Sequence, residues 1–289
     1  MTLSYRRLRL QKVDLPVILN LLASNIIRSA MDYSNDLAFI QQSAAATADY
    51  ESRREACLNF VAAVDGERIL EVGGGSGLFV RRLAGAVSKT GIVHGVDLSD
   101  QQIAVARANC TGLDQVRLDT GDVLNLPFEE KAFDAVVSIQ TLEYVPDVEN
   151  ATQDLLRVVK PGGRFINFAT NWGSVFWNSG KPDLIEAMLR AWDAHAPYPN
   201  LPAQLPRLLN HTGLVSDIEQ KPHTILNTSY TDAAFSYWAA KLIAAFAVGR
   251  KLVSEDKATA WMNDLQAIDY AGKYHFCTTG VMTRATVNV

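Results

Sequence analysis

Cysteine is scarce and unpaired in this chain. Cys57, Cys110 and Cys277 are an odd set with no C-x-x-C spacing. That argues against a disulfide framework and against a structural zinc site. The five histidines, at 94, 195, 211, 223 and 275, show no H-E-x-x-H or comparable ligand spacing, so no metal site is expected. A dominant charge sign is missing as well. Lys and Arg total 27 and Asp and Glu 31, a net charge of −4. Such a balance argues against a nucleic-acid binder that works by neutralising phosphates, without excluding a local basic patch. No long apolar run stands near the start: Leu15 to Ala23 contains Pro16 and Asn20 and is too short to span a bilayer. With no leader-like pattern either, the expectation is a cytoplasmic protein without stable membrane insertion. Arg6, Arg7, Arg9 and Lys12 read as a solvated arm, with a transit peptide or membrane-surface contact as the alternative. What is present is ordinary globular material, 48% hydrophobic and 20% charged. Disordered, collagen-like and coiled-coil chains do not look like this. A length of 289 residues suits one large domain or two small ones, at about 150 residues per domain.

The hydrophobic pattern changes along the chain. Residues 15–64 read as helical, with Leu15, Ile18, Leu21, Leu22 and Ile26 at helical spacing. From Glu67 short apolar runs alternate with amphipathic stretches. Strands are expected at 68–72, 91–96, 116–118, 133–139 and 164–169, and helices at 78–87, 100–109 and 148–159, the last stopped by Pro161-Gly162-Gly163. Such alternation indicates βαβ units and a parallel sheet, with ligands beyond the carboxyl ends of the strands. After Thr170 the alternation loosens. Helices are expected at 183–193, 203–211, 232–249 and 255–270, a turn-like stretch at 197–206, a strand at 214–220 and a closing strand or hairpin at 274–287. We read residues 1–64 as a helical N-terminal layer and 65–289 as the main domain, with a helical cap inserted at about 171–270.

Glu71-Val72-Gly73-Gly74-Gly75-Ser76-Gly77 lies between a strand and a helix. Glycines there permit positive φ and close approach of a ligand to the main chain. The spacing separates the candidate ligands. In a dinucleotide fingerprint G-x-G-x-x-G/A the third position falls on Leu78 or Val80, and both fail. No lysine follows, so a P-loop fails too. An acid at the front of the turn would repel a pyrophosphate and attract a cation.

These residues resemble the first motif of the class I S-adenosylmethionine-dependent methyltransferases. Gly95-Val96-Asp97-Leu98-Ser99, Gly121-Asp122-Val123 with Leu126-Pro127-Phe128, Phe133–Ser138, and Leu156–Gly163 resemble the motifs that follow, in order, across about residues 67–170. The flavour is that of enzymes acting on quinones, sterols and natural products. The resemblance implies a Rossmann-like α/β fold with a seven-stranded, mostly parallel sheet whose last strand is antiparallel. It implies S-adenosylmethionine as the donor. Glu71, Gly73, Gly74, Gly75, Gly77, Asp97, Leu98, Asp122 and Val123 would then line the donor site, with Asp97 on the ribose hydroxyls and Asp122 on the adenine amine. The competing readings are an acid that only orders the loop, for Glu71, and helix N-caps, for Asp97 and Asp122.

The loop Ser138–Asp147 follows the fourth expected strand and, in the family, borders donor and acceptor. Related members often carry histidine where this chain has Tyr144, which puts a histidine base here in doubt. Gln140, Glu143 and Tyr144 are site candidates, with loop packing as the alternative. His195 is a further candidate base, and Tyr33 could close over the donor. Aromatic residues crowd the tail, which suggests core packing or an apolar cap over the strand ends. The expected reaction is methyl transfer to a small apolar or aromatic acceptor, at C, N or O, with a homo-oligomer left open. A non-catalytic donor-binding partner subunit and a nucleic-acid methyltransferase are the alternatives.

Overall fold

The computed structural model describes residues 35–288. Residues 15–34 of the stretch expected to be helical, Tyr33 among them, lie outside them. The described residues form two compact units. One comprises those up to 46, with 178–195 and 229–274, and the other comprises 47–177, 196–228 and those from 275 onward.

The second unit holds one seven-stranded sheet. Its strands are β1 Arg68–Val72, β2 Ile92–Asp97, β3 Val116–Thr120, β4 Phe133–Ile139, β5 Val159–Trp177, β6 Val215–Asn227 and β7 Phe276–Val287. The order is β3-β2-β1-β4-β5-β7-β6. β1 to β5 pair in parallel, and β7 runs antiparallel to both β5 and β6. The expected α/β fold is thus the observed one. The order reverses between β1 and β4, which stay paired to their carboxyl ends while the helices that follow them pack in the two different cores; ligands of such sheets bind beyond the strand ends at this reversal.

Alternation along the strands feeds both faces, as a buried parallel sheet requires. Leu70, Val136 and Phe165 join one core with Leu155, Leu201 and Leu205. Ile69, Val137 and Ile166 join the other with Cys57, Phe79 and Leu83. The helices on these faces are α2 Ala48–Val61, α3 Leu78–Val87, α4 Asp100–Asn109, α5 Val148–Arg157 and α7 Leu201–Thr212.

Three expectations need correction. The stretch 197–206 is helical from Leu201, because Pro202 sits in the first helical turn, where a missing N–H costs nothing. β5 is far longer than 164–169. Lys160–Gly163 only interrupts its pairing with β4, and beyond Ala169 the strand continues along β7. β6 runs on through Pro222 to Asn227 as an edge strand, the one place in a sheet that tolerates proline.

The first unit is helical: α1 Asn35–Ala45, α6 Pro182–Trp192, α8 Phe235–Gly249 and α9 Glu255–Tyr270. Several of its aromatic residues pack on one another. Trp192 meets Phe246 edge-on at 5.4 Å, and Phe39 meets Trp238 at 5.9 Å. Asp264 on α9 accepts from Ser179 Oγ at 2.7 Å and from the Gly180 N–H at 3.1 Å, fixing the turn before α6.

Candidate active site

The glycine turn links β1 to α3. Gly73 has φ 68° and Gly77 φ 76°, in the left-handed region that side chains disfavour. Space is lacking as well. A Cβ on Gly73 would lie 2.7 Å from Thr141 Cβ, and one on Gly77 2.9 Å from Ala106 Cβ. The N–H groups of Gly73 and Gly74 donate to the Val96 carbonyl at 2.7 and 3.1 Å, stitching the turn to the end of β2.

Asp97 ends β2 and is buried. Its Oδ2 accepts from the Gly75 N–H and its Oδ1 from the Ser99 N–H, each at 2.9 Å. The N-cap of α4 is Ser99, whose hydroxyl accepts from the Gln102 N–H. Asp97 is therefore free of the capping role. Asp122 caps no helix either. It is exposed, and its Oδ1 accepts from the Leu124 N–H at 2.9 Å in a local turn. The Gly121 N–H donates to the Asp97 carbonyl at 3.0 Å, so the ends of β2 and β3 are joined. Leu98 is 73% exposed beside them, and Val123 packs half-buried on the core.

Glu71 lies one residue before the end of β1 and is buried. Its Oε2 has no hydrogen-bond partner, and a Cβ on Gly74 would stand 3.7 Å from that oxygen. Burial first, and the negative charge of Asp97 second, push its pKa well above the carboxylate range. A buried acid without a donor on one oxygen, beside a side-chain-free turn, suits a cationic ligand bound against the backbone. S-adenosylmethionine carries a sulfonium and an ammonium, so these residues fit it.

A second polar cluster closes β4. Gln140 has φ 52° and donates its N–H to the Phe168 carbonyl at 2.8 Å. Its Nε2 donates to Glu143 Oε1 at 2.8 Å, and its Oε1 accepts from the Thr170 hydroxyl at 2.6 Å. Glu143 and Tyr144 lie in the 3₁₀ turn Leu142–Tyr144. Glu143 is fully buried, its Oε2 has no partner, and burial pushes its pKa up to about 8. Its own and the Thr141 backbone N–H, and the Arg53 guanidinium, pull the other way. Thr141 packs on Gly73, so this cluster adjoins the glycine turn. Tyr144 is half-buried in the same turn.

Two contributors escaped the sequence reading. Thr170 is one, brought to Gln140 across 30 residues. The other is Arg53 on α2, buried, with its guanidinium 3.7 Å from the Tyr50 ring centroid and 5.3 Å from that of Phe168. The available signal was Arg53-x-x-x-Cys57-x-x-Phe60, which puts an arginine on the apolar stripe. His195 belongs to the other unit. It stacks on Trp192 at 4.0 Å, its Nδ1 lies 2.6 Å from the Trp192 carbonyl, and burial lowers its pKa to about 4. A neutral, packed imidazole of this kind fits a structural histidine. Among the described residues no group of three His, Cys, Asp or Glu could hold a metal ion, and no helix is long and apolar enough to cross a membrane.

Comparison with known proteins meets this geometry. Residues 70–167 match a family model described as a methyltransferase domain. Over that stretch, about a third of its length, the chain is similar to a methyltransferase domain. The matched stretch holds Glu71, the glycine turn, Asp97, Asp122 and the Gln140–Tyr144 cluster, and leaves out Arg53, Thr170 and His195. The demethylmenaquinone methyltransferase of Tropheryma whipplei is 35% identical over 146 residues, 49% of this chain and 55% of that protein. The chain spans about half the length of the curated relatives it matches. Among solved structures, the phosphoethanolamine N-methyltransferase 2 of Haemonchus contortus, in complex with S-adenosyl-L-methionine, aligns with TM-score 0.59 at 20% identity, over 93% of this chain and 60% of that one. The [4+2]-cyclase SpnF aligns with TM-score 0.53 at 21% identity, over 95% and 93%. These likenesses carry the fold, and a cyclase among them shows that the fold alone does not fix the reaction.

Proposed function

We propose that the protein transfers the methyl group of S-adenosylmethionine to a small apolar or aromatic acceptor and releases S-adenosylhomocysteine. The observation that carries this reading is Glu71: a buried carboxyl with an unpartnered oxygen, two residues before Gly73 and beside Asp97. When bound, the donor supplies an electrophilic methyl whose bond to sulfur breaks with its electron pair left on sulfur. The chain's own task is alignment and exclusion of water. Glu71 draws the cationic end toward the turn. Asp97 and Asp122, on joined strand ends, offer carboxylate oxygens to the ribose and the adenine amine. Gln140, Glu143 and Tyr144 form the acceptor side. Relatives named for demethylmenaquinone favour a quinol-like acceptor. Three cysteines without a pair suit the reducing cytoplasm.

The test uses S-adenosylmethionine with a deuterated methyl group and a panel of hydroquinones, phenols and amines. Mass spectrometry should find S-adenosylhomocysteine in step with one deuteromethylated product. Donor binding without S-adenosylhomocysteine from any acceptor would favour a non-catalytic binding role instead.

A further inference from the structure

The hydrogen bonds at the end of β4 have a direction. The Thr170 hydroxyl donates to Gln140 Oε1, which turns the amide so that Nε2 faces Glu143. An amide nitrogen has only hydrogens to give, so Glu143 Oε1 is the accepting oxygen. Oε2 is buried and unpartnered. Any proton the carboxyl carries therefore belongs on Oε2. The cluster is also fixed in place. Gln140 is anchored through its N–H to Phe168 on β5, the Tyr198 N–H donates to the Glu143 carbonyl at 3.1 Å, and Thr141 packs on Gly73 of the donor turn. A single-proton site thus stands beside the glycine turn, with one oxygen committed and the other buried and unpartnered.

We propose that Thr170 and Gln140 are positioning residues that hold Glu143 Oε2 as the receiver of the acceptor's proton, for acceptors with an ionisable O–H or acidic C–H such as a phenol, enol or hydroquinone. The proposal rests on the methyl-transfer reading. In the step, the acceptor's bond to hydrogen breaks. Its electron pair forms the new bond to the methyl carbon, directly or through the conjugated ring, as the bond from that carbon to sulfur breaks with its pair left on sulfur, and the proton bonds to Oε2 of the ionised carboxylate. The carboxyl then returns the proton to solvent. Acceptors without a proton to lose gain nothing from this arrangement. The groups that act on the carboxyl are Arg53 from α2, the Thr141 and Glu143 N–H groups of its own turn, and the Gln140 amide held by Thr170 on β5.

The test is an infrared titration of the full chain, with Glu143→Gln as the difference reference, so that no acceptor is needed. The protonated-carboxyl band that Glu143→Gln removes should fade with a midpoint near 8. In Thr170→Val the amide is free to turn its oxygen toward Glu143 and favour the neutral form. The midpoint should then rise by about one pH unit, tenfold in proton affinity. Thr170→Ser should keep the wild-type midpoint, and Thr170→Ala provides a second variant without the hydroxyl. An unmoved midpoint in Thr170→Val and Thr170→Ala, or no band that Glu143→Gln removes, overturns the proposal. Calorimetric titration of the same samples with S-adenosylmethionine separates the two claims. Failure of wild type to bind it would sink the methyl-transfer reading while leaving the proton assignment standing.

Discussion

Gly73→Ala tests the donor turn at its tightest point. Two costs can be read from the structure. Gly73 has φ 68°, and a non-glycine residue in that region costs about 1–2 kcal/mol. The new Cβ would lie 2.7 Å from Thr141 Cβ and 2.5 Å from its Cγ2. Turning the threonine side chain moves Cγ2 but leaves Cβ in place, so backbone must shift, at about 1–3 kcal/mol for an overpacked site. The sum is about 2–5 kcal/mol, expressed as lost stability, a displaced turn, or both. Because Gly73 and Gly74 share the Val96 carbonyl, displacement carries the donor-facing backbone with it. Donor affinity should fall at least tenfold, about 1.4 kcal/mol. The steric share can be isolated with Thr141→Gly, which removes the three atoms nearest the new methyl. A cycle of the two single variants and the double should show a coupling of about 1–3 kcal/mol by chemical denaturation. The φ share should persist in the double variant. Wild-type stability and donor affinity in Gly73→Ala, or strictly additive variants, would refute the reasoning.

Other expectations follow from the charged and buried groups. Glu71 has its pKa raised, so the free protein holds that proton above the usual carboxylate range. A cationic donor favours the ionised form, and donor affinity should climb as pH rises toward that raised value and then level off. Calorimetry in buffers of different ionisation enthalpy should record proton release on binding, and Glu71→Gln should abolish it. His195 is lowered from 6.5 to about 4, so the unfolded chain takes up its proton first. Stability should decline as pH falls from 6.5 toward 4, and His195→Gln should flatten that decline in thermal melts. Glu143 has the opposite sign, raised from 4.5 to about 8. Its contribution is fully present below pH 4.5 and is lost as pH rises through 8, a loss that Glu143→Gln should remove.

The sheet's first half was legible in the sequence because local rules govern it. β1, β4, α3 and α4 coincide with the expected ranges, since each is a short apolar run or amphipathic stretch bounded by glycine, proline or a polar cap. β5 and β6 were read short. Their outer halves are half-exposed and gain definition from pairing with β7, a partner about a hundred residues from the end of β5. Spacing and resemblance point to the candidate donor residues, and the structure adds what spacing lacks: Asp97 is bound to the turn itself, and Asp122 holds a turn of its own. Arg53 and Thr170 were invisible for a different reason. A single arginine on an apolar stripe, or a threonine in a strand, acquires meaning only through a contact that the fold supplies.

The central claim is that the β1 turn and the acid ending β2 form a site for the sulfonium donor. Calorimetric titration of S-adenosylmethionine into wild type and Asp97→Ala tests it most directly. Asp97 gives up two hydrogen bonds to loop N–H groups on truncation and, in this account, its hold on the ribose. The account predicts one equivalent bound by wild type and at least a tenfold weaker affinity in Asp97→Ala, about 1.4 kcal/mol or more. No binding by wild type, or equal affinity in the two proteins, would contradict it.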